Sequence, residues 1–235
     1  MAEALSIDVI TIFPRVLDGF LNESMLKRAA KQGAVRFRTI DLRAFTSDAH
    51  RTTDDRPYGG GPGMVMKPDP LFEAVESVVT PGARVILMTP QGRPFKQAVA
   101  EELSKEKHLI FVCGHYEGVD ERVRQSLATD EISIGDYVLT NGVLPSAVVI
   151  DAVVRLLPDV LGGAGATLEE SFSNGYLEYP QYTRPPEYRG MKVPDVLMSG
   201  NHGEIARWRE KESASRTRQR RPDLLNKKDG MGDSL

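Results

Sequence analysis

Three short turns hold most of the chemistry-bearing residues of this chain, and each follows an apolar run. Thr89-Pro90-Gln91-Gly92 follows RVILM, Gly114-His115-Tyr116-Glu117-Gly118 follows LIFVC, and Gly135–Gly142 (GDYVLTNG) follows EISI. The third turn mixes apolar side chains with backbone N–H and C=O groups. A buried heterocycle needs that combination: apolar walls for its faces and main-chain groups to read its edge. A fourth cluster, Tyr58-Gly59-Gly60-Gly61-Pro62-Gly63-Met64, is flanked by Arg56. It suits a flexible lid or a close backbone approach to a ligand, with a plain surface loop as the alternative.

Several chemistries find no match. There is no G-x-x-x-x-G-K-[ST] run, no G-x-G-x-x-G between a strand and a helix, and no G-x-S-x-G elbow. His50, His108, His115 and His202 lie far apart without paired ligand spacing, so no metal is assigned. Cys113 ends an apolar strand and reads as a small buried hydrophobe rather than a nucleophile.

The elements that must position these turns alternate. Ser6–Phe13, Val35–Asp41, Arg84–Met88, Leu109–Cys113 and Glu131–Ile134 read as strands. Met25–Lys31, Pro70–Val79, Phe95–Leu103, Val119–Leu127 and Leu144–Leu157 read as helices, with Ser47–Lys67 lacking periodicity. Strands alternating with helices predict an α/β layer with a mostly parallel sheet, whose ligands sit beyond the carboxyl ends of the strands. The three turns should therefore converge on one edge. The Gly/Pro-rich stretch Pro158–Thr183 marks the domain boundary. Past it, Asn201 with Glu204 three residues on predicts a capped helix start, followed by a helix with a thin Ile205 and Trp208 stripe.

The chain has 235 residues, 40% of them hydrophobic and 27% charged, enough for a substantial core. No window supplies the ~20 apolar residues of a membrane helix. The opening MAEALSIDVI lacks a basic stretch before an apolar core, so no secretory signal is expected. One cysteine fits a reducing cytoplasm. Net charge is −3, unevenly spread: residues 1–183 carry 18 Lys and Arg against 25 Asp and Glu, and residues 184–235 carry 12 against 8. A basic tail points to a polyanion partner, or equally to a solvated helix face.

Six motifs occur in one order: Tyr58–Met64, Thr89–Arg93, Cys113–Arg122, Ile132–Leu139, Tyr182-Thr183-Arg184-Pro185 and Leu197–His202. Together they closely resemble the bacterial tRNA (guanine-N1)-methyltransferase family, TrmD, within the SPOUT superfamily. The likeness runs from the first strand to Arg221-Pro222-Asp223-Leu224-Leu225. It implies an α/β fold with a SPOUT-type parallel sheet, a C-terminal trefoil knot in that sheet, and a small helical C-terminal domain. The boundaries it suggests are 1–160 for the knotted domain, 161–175 for a linker and 176–235 for the tRNA-binding domain.

The resemblance also implies an activity: methyl transfer from S-adenosyl-L-methionine (AdoMet) to N1 of guanine 37, 3′ of the tRNA anticodon. A SPOUT ribose 2′-O-methyltransferase and a non-catalytic RNA-binding protein are the alternatives. By the match, AdoMet is held by Leu87, Thr89, Pro90, Gly114, Tyr116, Glu117, Ser133, Ile134, Gly135, Asp136, Tyr137, Val138, Leu139, Asn141, Gly142 and Pro145. Glu170, before Ser171-Phe172, matches the family's general base, with neighbouring Glu169 as fallback, and Arg155 matches the arginine that orients base and guanine. Gly60, Asn201, His202, Arg207, Arg209, Arg216 and Arg220 are the tRNA contacts. Family members are homodimers with shared active sites, cytoplasmic, and dependent on magnesium, to which no residue is assigned. Three positions depart from the usual pattern: Glu170 where Asp is frequent, His115 where Arg is, and Asn141 where Gly is. Asn141 is accommodated if its backbone is left-handed, which Asn tolerates.

Overall fold

Parity along the central strands decides the architecture. In β1 (Leu5–Thr11), Leu5, Ile7 and Val9 join one buried cluster, whereas Ile10 and the following Ile12 join another. In β6 (His108–Val112) and Cys113 beyond it, Leu109, Phe111 and Cys113 face the first cluster and Ile110 and Val112 the second. A period-two pattern that is apolar on both faces requires cover on both sides. The computed structural model supplies it. On one face pack α1 (Asp18–Leu21), α2 (Ser24–Lys31), α4 (Gln97–Leu103) and α6 (Val143–Val154). On the other pack α3 (Pro68–Glu76) and α5 (Glu121–Ser126).

The structure describes residues 3–161 and 170–225. The chain divides into two compact units, Met1–Gly162 and Gly163–Leu235. In the first, β2 (Val35–Asp41), β1, β6, β5 (Arg84–Pro94) and β7 (Asp130–Ser133) form a sheet in that order, every pair parallel. Two short strands, β3 (Asp54–Asp55) and β4 (Val65–Met66), pair antiparallel within the stretch that shows no periodicity in sequence.

Strand β5 departs from the expected form. The apolar run RVILM predicts a strand ending at Met88, with a turn after it. Instead the chain loops out over Thr89–Gly92 and resumes pairing at Arg93 and Pro94, so that Met88 and Arg93 both register with Ile132 of β7.

A polar brace crosses the sheet near the opening ends of β1 and β6. Asp8, 1% exposed, accepts from Arg38 Nε and Nη2 at 2.6 Å each. The ring of buried His108 bridges Asp8 (Nε2 to Oδ2, 2.9 Å) and Thr80 (Nδ1 to Oγ1, 2.8 Å). Three strands and the α3–β5 connection are thus joined by a buried carboxylate whose lone pairs are satisfied, the condition under which such a group is tolerated.

The second unit contains a hairpin, β8 (Glu187–Tyr188) with β9 (Met191–Lys192), then α7 (Asp195–Met198) and the 19-residue α8 (His202–Arg220). The expected cap is present: Asn201 Oδ1 accepts from Glu204 N at 3.2 Å. Ser213 and Thr217, one turn apart on α8, hold both polar backbone groups of Leu177. Ser213 Oγ donates to its carbonyl at 2.6 Å and Thr217 Oγ1 accepts from its N–H at 2.8 Å. Among the described residues no helix is long and apolar enough to cross a membrane.

Candidate active site

All three turns meet at the carboxyl edge of the sheet, around a cavity of about 350 Å³. Leu87, Thr89 and Pro90 supply one wall, and Gly114, Tyr116 and Glu117 a second. Ser133, Ile134, Gly135, Tyr137, Val138 and Leu139, with Asn141, Gly142 and Pro145, complete it. Asp136 lies in the third turn but outside the wall. Gln91, His115 and Thr140 of the same turns also line it, as do Met88, Glu121, Arg124 and Ile132, which sequence reasoning missed. For Glu121 and Arg124 the signal was their i,i+3 spacing at the start of a helix directly after GHYEG.

Two glycines explain how the turns come so close. A Cβ on Gly92 would lie 2.3 Å from Ile132 N and 2.4 Å from Glu131 C, backbone atoms of the neighbouring strand. A Cβ on Gly142 would lie 2.8 Å from Cys113 Cα. The second and third turns are also zipped together: Gly142 N donates to Gly114 O at 2.9 Å, and His115 and Asn141 form an antiparallel bridge. The glycine-rich loop is tied on from the other side, with Glu117 N donating to Met64 O at 3.0 Å and Met66 N to Gly118 O at 2.9 Å. Gly60 itself stands clear of the cavity wall.

Charge at the rim is arranged in pairs. Arg124 donates to Glu121 and to Glu131, and these carboxylates hold its guanidinium more firmly protonated than usual. The Tyr116 phenol is shifted up, first by burial and then by the nearby Asp54 carboxylate. Burial pushes the Cys113 thiol up to about 12, a weak hydrogen bond to Ser146 Oγ at 3.5 Å offsetting little of it. The thiolate is the reactive form. A thiol reagent such as dithionitrobenzoate should therefore leave the folded protein unmodified at pH 7.5 and titrate one thiol in denaturant. Rapid labelling of the folded chain would contradict this burial.

In the second unit, Glu170 lines a separate cavity of about 270 Å³ with Asn174, Glu178, Tyr179, Arg209 and Glu210. Glu169 lies outside the described residues. Arg209, one of the expected tRNA contacts, lies over the Tyr179 ring at 4.6 Å with its Nε buried. Cation–π packing draws its guanidinium inward. Asn201, His202, Arg207 and Arg220 are exposed, and Arg216 is half-buried. In the first unit, Arg155 caps the C-terminal end of α6, half-buried. Among the described residues no three His, Cys, Asp or Glu side chains gather as metal ligands would.

The family profile described as tRNA (Guanine-1)-methyltransferase TrmD matches residues 5–227. The chain belongs to the tRNA (guanine-1)-methyltransferase TrmD family. Three relatives, each named tRNA (guanine-N(1)-)-methyltransferase, give the scale of the likeness. The Geobacillus kaustophilus protein is 61% identical over 224 residues, 94% of this chain and 92% of its own. The Anoxybacillus flavithermus protein is 59% identical, covering 94% and 91%. That of Moorella thermoacetica is 58% identical, covering 94% and 90%.

Two departures from the usual TrmD pattern have structural accounts. Asn141 does not take the left-handed backbone that would accommodate it: among the described residues it is not one of the non-glycine residues with positive φ. Its Oδ1 accepts from Val143 N at 2.9 Å, so it opens α6 by an Asx-type turn instead. His115 packs its ring edge-on against Phe13 and Tyr116, at 5.1 and 4.3 Å between centroids, and its N–H meets Met66 Sδ at 3.1 Å. The imidazole fills this aromatic niche.

Proposed function

We propose that this protein transfers the methyl group of AdoMet to N1 of guanine 37 in tRNA, and that the cavity at the sheet edge is where AdoMet binds. The observation carrying the cavity assignment is the convergence of all three turns on one pocket. Its size falls within the ~300–1,000 Å³ of small-molecule sites. Its walls suit the donor: Leu87, Ile134, Leu139 and Pro145 offer apolar faces, while Glu117 offers negative charge to a cationic group. The crowding at Gly92 and Gly142 supports reading the turns as the family's trefoil knot.

Bound AdoMet supplies an electrophilic methyl on sulfonium sulfur. The protein's task is to present N1 of guanine in line with that bond, and alignment of this kind is worth ~7–11 kcal/mol of barrier. Neutral guanine holds a proton on N1, so a base is required. Glu170 would accept that proton as the methyl passes to N1, the S–C bond breaking and the donor leaving as a neutral thioether. Arg155 steadies the negative charge that grows toward O6 as the proton leaves. The target guanine sits in an anticodon loop, where extruding a base costs little.

The partner assignments belong to the same reading. Arg207, Arg216 and Arg220, with Asn201 and His202 at the N-terminus of α8, meet tRNA phosphates. The enzyme acts as a homodimer with shared sites. Leu144 and Val148 are 57% and 49% exposed, on the face of α6 that continues to Asp151 and Arg155, and a second copy would cover them. The lone buried thiol is in keeping with a reducing cytoplasm.

Incubating tRNA with the protein and labelled AdoMet, then digesting and mapping the product, tests the function. 1-Methylguanosine at position 37 is expected; label on a ribose 2′-oxygen, or none, rejects the proposal. The tRNA assignment has its own test. Replacing Arg207, Arg216 and Arg220 by Ala should flatten the dependence of log binding constant on log salt by about 0.7–0.9 for each phosphate no longer neutralised. An unchanged slope would remove these arginines from the interface.

A further inference from the structure

Outside the cavity, one cluster of charged groups has no part in the chemistry above. Arg84, near the start of β5, and Arg93, just after its excursion, share two carboxylates. Asp130 of β7, its side chain 7% exposed, accepts from Arg84 Nε and Nη2 at 2.7 and 2.6 Å and from Arg93 Nη2 at 3.1 Å. Glu102 of α4 accepts from Arg84 Nη2 at 2.9 Å and from Arg93 Nη1 and Nη2 at 3.0 and 3.1 Å. Two like charges nine residues apart in sequence are thus drawn together and neutralised in place. The segment they bracket contains Thr89, Pro90 and Gln91, a wall of the cavity.

We propose that Arg84, Arg93, Glu102 and Asp130 form a charged clamp that closes the base of the Thr89–Gly92 excursion and thereby sets AdoMet affinity. The inference rests on the assignment of this cavity to AdoMet. Arg93 is its decisive member. Main-chain pairing leaves the four residues from Thr89 to Gly92 out of register, and Arg93 is the first side chain after them able to tether their return. Isolated exposed ion pairs contribute little, but here two forked guanidinium groups engage three carboxylates in a single network, Asp130, which is nearly buried, Glu102, and Glu106, which accepts from Arg84 Nη1 at 2.9 Å. The four residues act through the wall they hold and touch no reacting atom, so they are positioning residues.

Arg93→Met keeps the apolar stem and removes the fork. It should raise Kd and KM for AdoMet about tenfold, while kcat at saturating AdoMet and KM for tRNA stay within about twofold. Raising KCl from about 0.1 to about 1 M should weaken AdoMet binding to the wild type more than to Arg93→Met, because salt screens the half-exposed clamp. A lower melting temperature with unchanged Kd for AdoMet would make the clamp purely structural and overturn the proposal. If Arg93→Met fails to fold, the salt titration of the wild type decides, and an AdoMet Kd indifferent to KCl overturns it. Failure of the cavity assignment looks different: Leu139→Trp, which fills the wall, would leave AdoMet affinity intact.

Discussion

Glu170→Gln is expected to bind AdoMet as the wild type does and to lose about 10²–10⁴ of its methyl-transfer rate. The substitution keeps the size of the side chain and its hydrogen-bonding reach, and removes only the capacity to take a proton. The loss should therefore appear in kcat under single-turnover conditions, with KM for AdoMet unchanged. Raising the pH should recover part of it, because guanine N1 then sheds its proton to solvent. Glu170→Asp shortens the reach by a methylene and should retain far more activity than Gln. Single-turnover methylation by Glu170→Gln at the wild-type rate would take this carboxylate out of the mechanism.

The second large effect concerns Gly92. A methyl group there would sit 2.3 Å from Ile132 N and 2.6 Å from Glu131 O, well inside van der Waals contact. These are backbone atoms of a paired strand, so no side-chain rotation relieves the clash. Gly92→Ala should cost about 3 kcal/mol, the upper end of overpacking. That corresponds to a fall of about 6–12 °C in melting temperature for a unit of this size. AdoMet binding should fall with it, because relief requires the excursion and β7 to separate. Calorimetric melting of the variant with and without AdoMet reads both, and a wild-type thermogram would show that the two strands are not in contact at this point.

How much of this was legible in the sequence depended on whether the deciding contact was local. Ile7, Val9, Ile10 and Ile12 announce a strand buried on both faces, and the Asn201 to Glu204 spacing announces a cap; both patterns are complete within a few residues. The excursion of β5 was not legible. Pro90 and Gly92 read as the end of a strand, and the resumption at Arg93 depends on β7, almost forty residues downstream. The acidic pair Asp54-Asp55 carries no strand signature, and only its partners Val65 and Met66 make it one. Glu121 and Arg124 carry only their spacing after GHYEG as a signal, and that spacing also suits a solvated helix face until the turn before them is folded against the cavity. Arg209 looks like one more basic side chain until Tyr179 is placed beneath it. The motif run Ile134–Leu139 lines the third wall of the cavity, with Asp136 the one member that does not reach it.

The Asp8, Arg38 and His108 brace has a consequence for how the sheet responds to substitution. It ties β1, β2 and β6 to one another away from the turns, so the pairing of these three strands does not rest on the side chains that line the cavity. A change at the cavity rim is then felt first in the turns it touches, and only later in the pairing of these three strands.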